Sequence, residues 1–421
     1  MRVARRAWIR QDEMSLATSR TRSFADLLSF LVMFSALYIA YGVVSPFLPA
    51  FFSSRGAGPE QIGLLLFLSA IVRLFSGPIA GRIADRVHAL RLVFAICTAG
   101  AGLLASALIL TYGFFPLLII SLLHATVLAP APILADALAV RSASERDSRF
   151  EYGWVRGAGS AAFFVGAIIS GQVVDTLGYG SALGAQAVFL VGAACAAFLV
   201  PEIHVLRKSA LGGAKHAASA FSVLLRNRAF RLLVLVAAMI IGSHAMQDAF
   251  AMIAWNAAGI SSALGGMLWS VSVAAEILVF FFVGPWLLRR IRPETAMLMA
   301  ALAATLRWTV MSQTPSVLLL SFIQPLHGLT FALLHLACMR VLIIVTPPEL
   351  AATAQAVYSF GMGVTIALLT LASGFLYARL GSEGFLVMAV LSLASLPAIL
   401  GLSRSLNLGN QTKGRISRNS A

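Results

Sequence analysis

Residues 27–52 read LLSFLVMFSALYIAYGVVSPFLPAFF, and these 26 residues contain no acidic or basic side chain. A helix needs about 20 predominantly apolar residues to cross the hydrocarbon core of a bilayer. The stretch meets that length, because each helical residue advances the chain by about 1.5 Å along the helix axis. It predicts a transmembrane helix near the start of the chain.

The rest of the chain repeats this pattern. Eleven further apolar stretches are long enough to span a bilayer. The longest polar segment, 201–228, separates the first six stretches from the last six. We therefore predict twelve spans, at 27–52, 61–81, 91–111, 114–137, 154–175, 181–200, 229–255, 262–288, 295–312, 316–345, 353–377 and 381–402.

The overall composition excludes a soluble globular protein. Of the 421 residues, 59% are hydrophobic and 11% are charged, and the mean hydropathy is +0.90. Only a lipid bilayer can solvate so much apolar surface. The net charge of +15 does not indicate a nucleic-acid partner, because the cationic side chains are dispersed among short segments rather than gathered on one water-exposed fold.

Cysteine and glycine patterns argue against several kinds of site. Cys97, Cys195 and Cys338 lie in separate apolar stretches, which indicates packing rather than a disulfide framework or a metal cluster. No glycine-rich phosphate loop ending in Lys-Ser or Lys-Thr occurs, so the expected energy source is an ion gradient. We expect no cofactor, no cleaved signal peptide and no enzymatic activity.

The distribution of basic residues predicts the orientation. If the N-terminus is cytoplasmic, most of the 31 lysines and arginines lie on that side, and the opposite loops carry only Arg55 and Arg379. Such a bias places both termini in the cytoplasm. The predicted divisions are a basic tail at 1–26, a six-helix bundle at 27–200, a linker at 201–228, a second six-helix bundle at 229–402 and a tail at 403–421.

Residues 81–86, which read GRIADR, follow the second span. The sequence resembles the loop between spans two and three of the major facilitator superfamily, whose plan is also two six-helix halves joined by a cytoplasmic segment. The resemblance implies a gating role for Gly81, Asp85 and Arg86. The chain departs from the family pattern at His88, where a second glycine is common.

A narrower resemblance is to the phenylpropionate permease group and the related nucleoside/proton symporters. The stretch YGWVR at 152–156 enters the fifth predicted span, and comparable stretches occur in both halves of the chain. They include Trp269-Ser270-Val271, Leu306-Arg307-Trp308 and Leu326-His327-Gly328. This resemblance implies a transporter, expected to act as a monomer.

Ionisable residues inside the spans are costly and therefore tend to mark a transport path. Glu276, Arg307 and His327 resemble the proton-coupling residues of lactose permease, whose second carboxylate is replaced here by Thr330. An apolar environment favours the protonated form of a carboxylate, and an approaching arginine favours the ionised form. Either Glu276 holds the proton or Asp248 does. The alternative is a buried ion pair that only joins helices.

Arginines in the first half are the cations available to an anionic substrate, because a guanidinium binds a carboxylate through two parallel hydrogen bonds. We predict substrate contacts from Arg73 and Arg156 in that half, and from His244 and Trp269 in the second half. Arg156 has an alternative role in a cytoplasmic gate, with the nearby acidic residues Asp136 and Glu151.

Together these features predict a secondary transporter that works by alternating access. The expected cargo is a small organic acid such as a phenylpropanoate, imported together with a proton. Uptake of a nucleoside or sugar with a proton is an alternative, as is export of small molecules in exchange for protons. A receptor or scaffold built on a transporter fold is the alternative outside transport.

Overall fold

The computed structural model describes residues 25–143, 151–201 and 221–419, with side chains up to residue 407. In these residues, eleven helical stretches are long and apolar enough to cross a membrane. The last stretch, Pro348–Asn407, contains two successive helices on either side of a short 3-10 turn at Gly381–Glu383. Counting these two separately gives twelve membrane helices, which we call α1 to α12, and confirms the predicted all-α membrane fold.

The first six helices are α1 Ala25–Val44, α2 Pro59–Val87, α3 Leu90–Ile109, α4 Phe114–Leu128 with Pro130–Ala143, α5 Tyr152–Leu177 and α6 Gly180–Ala197. The last six are α7 Arg228–Gly242 with Ala245–Ala257, α8 Ser262–Leu288, α9 Pro293–Gln313, α10 Val317–Val345, α11 Ala351–Leu380 and α12 Gly384–Leu393 with Leu396–Asn419.

Prolines account for two of the breaks in the membrane helices. The structure breaks α4 at Ala129, directly before Pro130, and proline is a common cause of sharp kinks in helices. The prediction of one continuous span at 27–52 was wrong, because α1 ends at Val44 and a separate short helix forms at Leu48–Ser54. Pro46 lies in this break, and a proline lacks the N–H that a helix interior needs.

Helices α8 and α10 each contain a wider π-helical segment. In α8 this segment is Val279–Val283, and in α10 it is Gly328–Leu333, preceded by a 3-10 turn at Gln324–Leu326. The two π segments pack against each other. Such segments are rare in proteins overall, and those that occur are often found at functional sites.

The chain forms two compact units. Unit 1 comprises Met1–Ser45 and Phe75–Arg207, and unit 2 comprises Pro46–Leu74 and Lys208–Ala421. The first part of α2 therefore belongs with the second half of the sequence. The predicted domain boundaries and the cytoplasmic position of the termini stay predictions, and residues 1–24 of the tail and 202–220 of the linker lie outside the described residues.

The core of unit 1 is built on α1, α3, α4 and α6. Phe30, Phe34 and Phe94 are fully buried in it, with many alanines between them. Small residues allow close helix contacts in membranes. A Cβ atom on Gly102 of α3 would lie 3.0 Å from the carbonyl oxygen of Ala187 on α6, so this glycine sets how closely the two helices approach.

Unit 2 is held by aromatic contacts between its helices. Phe250 of α7 stacks on Tyr377 of α11 at 4.6 Å between ring centroids, and Trp308 of α9 stacks on Phe385 of α12 at 6.2 Å. Offset ring pairs at these separations stabilise packing beyond the area that they bury. The stacked Trp308 thereby holds α9 in place next to the buried Arg307.

Candidate functional site

A buried arginine organises the polar centre of unit 2. Arg307 on α9 is 0% exposed. Its Nη2 atom donates to Oε1 of Gln324 at 2.7 Å and to Oγ of Ser272 at 3.3 Å, and its Nη1 atom bonds Nδ1 of His327 at 3.0 Å. Three neighbouring helices, α8, α9 and α10, supply these groups. Within the described part of the chain, none of the side chains that accept hydrogen bonds from Arg307 carries a negative charge.

This contact determines the tautomer of His327. A guanidinium can only donate hydrogen bonds, so Nδ1 of His327 accepts from Arg307. The neutral ring then carries its hydrogen on Nε2, which lies 3.5 Å from Oε2 of Glu276. His327 therefore lies between the arginine and the carboxylate, with its Nε2 atom on the side of Glu276.

Ser272 and Gln324 complete the ring around the guanidinium. Ser272 donates from Oγ to Oε1 of Gln324 at 2.6 Å, while it accepts from Arg307. Both side chains are buried. These two neutral side chains thus supply hydrogen bonds to the buried positive charge, which would otherwise be costly to remove from water.

His244 lies beside this cluster and is 4% exposed. Its Nδ1 atom lies 3.1 Å from the carbonyl oxygens of Ile240 and Ile241, so Nδ1 carries the hydrogen. Its Nε2 atom then accepts from Oγ1 of Thr330 at 2.9 Å. Both ring nitrogens are engaged, and the predicted contact of His244 with substrate stays a prediction.

Asp248 lies one turn further along α7, and its side chain is exposed where that of His244 is buried. The carboxyl group is close enough to Arg307 and Glu276 to interact with both electrostatically. The four residues predicted for proton coupling, namely Asp248, Glu276, Arg307 and His327, therefore lie in one part of unit 2.

The remaining candidates in unit 2 lie in different surroundings. Arg73 on α2 is exposed, and its Nε donates to the carbonyl oxygen of Ser69 at 3.3 Å. Trp269 on α8 is buried at 9% exposure. Trp308 is fully buried and donates from its indole nitrogen to Oγ of Ser243 at 2.8 Å, so it packs inside the helices rather than lining an open surface.

A second polar cluster lies in unit 1. Tyr152 donates to Oδ1 of Asp136 at 2.9 Å, and the guanidinium of Arg156 lies 4.6 Å from the ring centroid of Tyr38. Arg156 and Asp136 are within electrostatic range. The structure thus brings together two of the three residues predicted for a cytoplasmic gate, whereas Glu151 is exposed and makes no side-chain cap at the start of α5.

Residues 81–86, which the sequence placed in a loop, are the last turns of α2, and an exposed ion pair lies there. Asp85 accepts from Nη2 of Arg141 at 3.3 Å, whereas Arg86 is exposed and a Cβ on Gly81 would meet no atom within 4 Å. His88 has a φ of 51°, in the left-handed region that favours glycine. This backbone conformation explains why the family pattern often has glycine there.

Sequence reasoning missed several members of the two clusters and of the exposed ion pair, namely Ser272, Gln324, Tyr152, Tyr38 and Arg141. Helical spacing offered a signal for the first two. Ser272 precedes Glu276 by four residues and Gln324 precedes His327 by three, and residues at such spacings share a helix face. No comparable signal joins Arg141 to Asp85, which lies on another helix.

No group of three or more histidine, cysteine, aspartate or glutamate side chains that could hold a metal occurs in the ranges 25–143, 151–201 and 221–407. The polar centre of unit 2 is instead a hydrogen-bonded chain of arginine, histidine and carboxylate. Such a chain can hold a proton, because the carboxyl group and the imidazole can each bind or release one while the guanidinium keeps its charge.

Comparison with known proteins gives the family. The chain matches the family described as "MFS_1 like family" over residues 27–387. It is 32% identical over 374 residues to an Escherichia coli (strain K12) protein named "Probable 3-phenylpropionic acid transporter", covering 85% of this chain and 93% of that protein. It is 25% identical over 357 residues to the maltose permease of Geobacillus stearothermophilus, covering 83% and 87%.

Solved structures share the fold. The nucleoside transporter NupG superposes with a TM-score of 0.79 at 16% identity, covering 89% of this chain and 98% of that chain. A bacterial homolog of the human lysosomal transporter Spinster superposes with a TM-score of 0.67 at 16% identity, covering 91% and 97%. At these identities the likeness concerns the fold alone.

The family match spans most of the chain, and it agrees with the twelve helices and with the predicted absence of enzymatic activity. The chain belongs to the MFS_1-like family, and it is a multi-pass bacterial membrane transporter of the major facilitator type rather than an enzyme.

Proposed function

We propose that this transporter imports a small organic acid, of the phenylpropanoate class, together with a proton. The observation that carries the proposal is the chain Arg307–His327–Glu276, in which a buried arginine contacts a histidine whose Nε2 atom lies 3.5 Å from a carboxylate oxygen. The name of the Escherichia coli relative supports the cargo, since it refers to 3-phenylpropionic acid and that relative covers most of this chain.

In the proposed mechanism, Glu276 is the residue that takes up the proton. When Glu276 is ionised, the N–H of His327 stabilises its charge, and Arg307 polarises the ring from the other side. When Glu276 is protonated, its attraction to this chain falls because the negative charge is gone. The contact between α8 and α10 then weakens, which makes helix movement depend on proton binding.

Asp248 is the alternative proton carrier in this proposal. It interacts electrostatically with Arg307 and Glu276, and its side chain is exposed. Glu276 is favoured because it has a direct contact with His327. Among the described residues, no side-chain hydrogen bond or ion pair joins Asp248 to Arg307, His327 or Glu276. Replacement of each carboxyl group in turn separates the two assignments.

A carboxylate substrate needs a cation, and two arginines are candidates. Arg156 has a buried Nη1 atom without a hydrogen-bond partner among the described residues, and it lies over the ring of Tyr38. Arg73 is exposed on α2. Either guanidinium could form the paired hydrogen bonds that bind a carboxylate. His244 and Trp269 stay predicted contacts in unit 2.

The test is uptake of labelled 3-phenylpropionate into proteoliposomes under an imposed pH gradient, with Glu276→Gln compared with the wild type. We expect gradient-driven uptake to disappear in Glu276→Gln, while exchange of internal for external substrate continues. Glu383→Gln, at an exposed position in the turn before α12, is the control and should behave like the wild type. Loss of exchange together with uptake would contradict a role confined to proton coupling.

A neutral cargo is the second candidate, because the chain also resembles a maltose permease at 25% identity over 83% of its length. Arginine replacement distinguishes the two. Arg73→Gln or Arg156→Gln should abolish uptake of an anion if its carboxylate binds there, because the variant loses the paired, charge-assisted hydrogen bonds, each roughly twice as strong as a neutral one. Proton-driven maltose or nucleoside uptake by the wild type, with no 3-phenylpropionate uptake, would favour the second candidate.

A further inference from the structure

The backbones of α8 and α10 come unusually close at Gly328. A Cβ atom built on Gly328 would lie 2.6 Å from the carbonyl oxygen of Ala275 and 2.7 Å from Cγ2 of Val279. Ordinary contacts of a Cβ atom begin near 3.4 Å. The carbonyl oxygen belongs to a helix backbone and cannot rotate away as a side chain can. Any larger residue at this position must therefore move the two helices apart.

The residues that make this close approach are adjacent in sequence to the proposed proton-coupling pair. Ala275 immediately precedes Glu276, and Gly328 immediately follows His327. The distance between Oε2 of Glu276 and Nε2 of His327, 3.5 Å, is therefore set where the two backbones touch. A separation increased by about 1 Å would move the two groups beyond the roughly 4 Å within which an ion pair is counted.

The local helix geometry changes at the same point on both helices. The π segment of α8 begins at Val279, three residues after Glu276, and that of α10 begins at Gly328 itself. In α8 the N–H of Gly284 bonds the carbonyl of Val279, five residues earlier. These wider turns place Val279 against Gly328, so both halves of the contact depend on the irregular backbone.

We infer that Gly328 is a positioning residue, whose lack of a side chain holds Glu276 and His327 in contact and thereby couples proton binding to transport. The inference rests on the proposed function for its consequence in transport. Its structural content, the spacing of the carboxylate and the imidazole, can be measured without any cargo. The residue itself touches neither substrate nor proton.

The effect should appear in the proton affinity of Glu276. If the pair is separated, the ionised carboxylate loses the N–H that stabilises it, and the protonated form persists to higher pH. Other groups also act on the pair electrostatically. Arg307 contacts His327 from α9, Asp248 faces Glu276 from α7, and His335 faces it from α10. A methyl group on Gly328 adds no charge, so a change in the proton affinity of Glu276 would come from the altered spacing of these groups.

The experiment compares Gly328→Ala with the wild type in purified protein. A carbodiimide reacts with protonated carboxyl groups, so its rate of labelling at Glu276, followed by site-resolved mass spectrometry against pH, reports proton binding directly. We expect the midpoint of the labelling profile to move upward by about one pH unit in Gly328→Ala. In proteoliposomes the same variant should lose gradient-driven uptake and keep exchange.

Gly361→Ala on α11 is the matched control, because a Cβ there would meet its nearest atom, Cγ1 of Val234, at an ordinary 3.6 Å. Its labelling midpoint should equal that of the wild type. If Gly328→Ala is not monodisperse, the double variant with Val279→Ala removes the side-chain part of the clash and is measured instead. An unchanged midpoint in a folded Gly328 variant overturns the inference, whereas a shifted midpoint without 3-phenylpropionate uptake by the wild type rejects only the proposed cargo.

Discussion

At the residue scale, Arg307 shows how a charge can be held inside a membrane protein without a direct ion pair. Its guanidinium is fully buried, and its hydrogen-bond partners are a serine, a glutamine and a histidine. Carboxylates lie nearby but not in contact. The charge is therefore stabilised by dipoles, and a carboxylate can gain or lose a proton without breaking the bonds of the arginine.

Gln324 should therefore be important for stability. Gln324→Ala removes the shortest acceptor of Arg307, at 2.7 Å, and leaves a buried guanidinium N–H without a partner. We expect the free energy of unfolding to fall by about 1 to 3 kcal/mol, the cost of an unsatisfied buried donor. A thermal-shift measurement of the protein in detergent checks this, and the exposed Gln355→Ala is the control. Equal melting temperatures for both variants would contradict the assigned role of Gln324.

His244 and Thr330 show why a motif has to be interpreted residue by residue. Thr330 takes the place of a carboxylate in the lactose permease pattern, and here its hydroxyl group bonds the imidazole of His244. A neutral donor replaces an ionisable group, so this position holds no second proton. The proposed proton coupling therefore depends on Glu276 or Asp248.

At the element scale, irregular helices position the site. Proline interrupts α4, and π segments begin three residues after Glu276 in α8 and one residue after His327 in α10. An ideal α-helix would rotate the following side chains by about 100° per residue, so one extra residue in a turn changes which face points inward. Hydropathy is insensitive to such an insertion, and the sequence therefore showed continuous spans.

Glycine contacts also join helices within unit 2. A Cβ atom on Gly63 of α2 would lie 3.0 Å from Cα of Gly374 and 3.2 Å from the carbonyl oxygens of Thr370 and Leu371 on α11. The backbones of α2 and α11 thus touch directly. This contact explains why Pro46–Leu74 groups with the second half of the chain.

Substitution at this contact should separate the two helices. Gly63→Val introduces three carbon atoms against a helix backbone, and we expect a loss of about 1 to 3 kcal/mol in stability, as for other overpacked contacts. Gly192→Val on α6 is the matched control, because a Cβ there would meet no atom within 4 Å. Thermal unfolding monitored by circular dichroism compares them, and equal melting temperatures would mean that the α2–α11 contact contributes little.

At the scale of the whole molecule, the basic residues predict one orientation in the membrane. The prediction places Arg379 outside and Arg289 in the cytoplasm, with both termini inside. Both side chains are exposed in the structure and can be replaced without disturbing a core. The orientation is therefore open to a direct chemical test.

Single cysteines provide that test in a variant whose three native cysteines have been replaced. Arg379→Cys should react with a membrane-impermeant maleimide added to intact cells, and Arg289→Cys should react only after the membrane has been permeabilised. The reason is that the reagent reaches only the outer face of the bilayer. The reverse pattern would show that the termini lie outside and that the charge bias has been misinterpreted.

The sequence by itself determined the class of protein, the number of membrane helices and the residue types that can carry a proton. These follow from local properties, because the cost of placing each side chain in hydrocarbon is nearly additive along a helix. The residues Glu276, Arg307 and His327 were found in this way, as rare ionisable groups within apolar stretches.

Only the tertiary structure decided which groups meet. Gln324 and Ser272 as partners of Arg307, Thr330 as the partner of His244, and Gly328 against Ala275 all depend on how each helix is rotated and displaced against its neighbours. Rotation and displacement result from the packing of many side chains at once, and a break or a π turn alters them. A linear pattern contains no direct measure of these quantities.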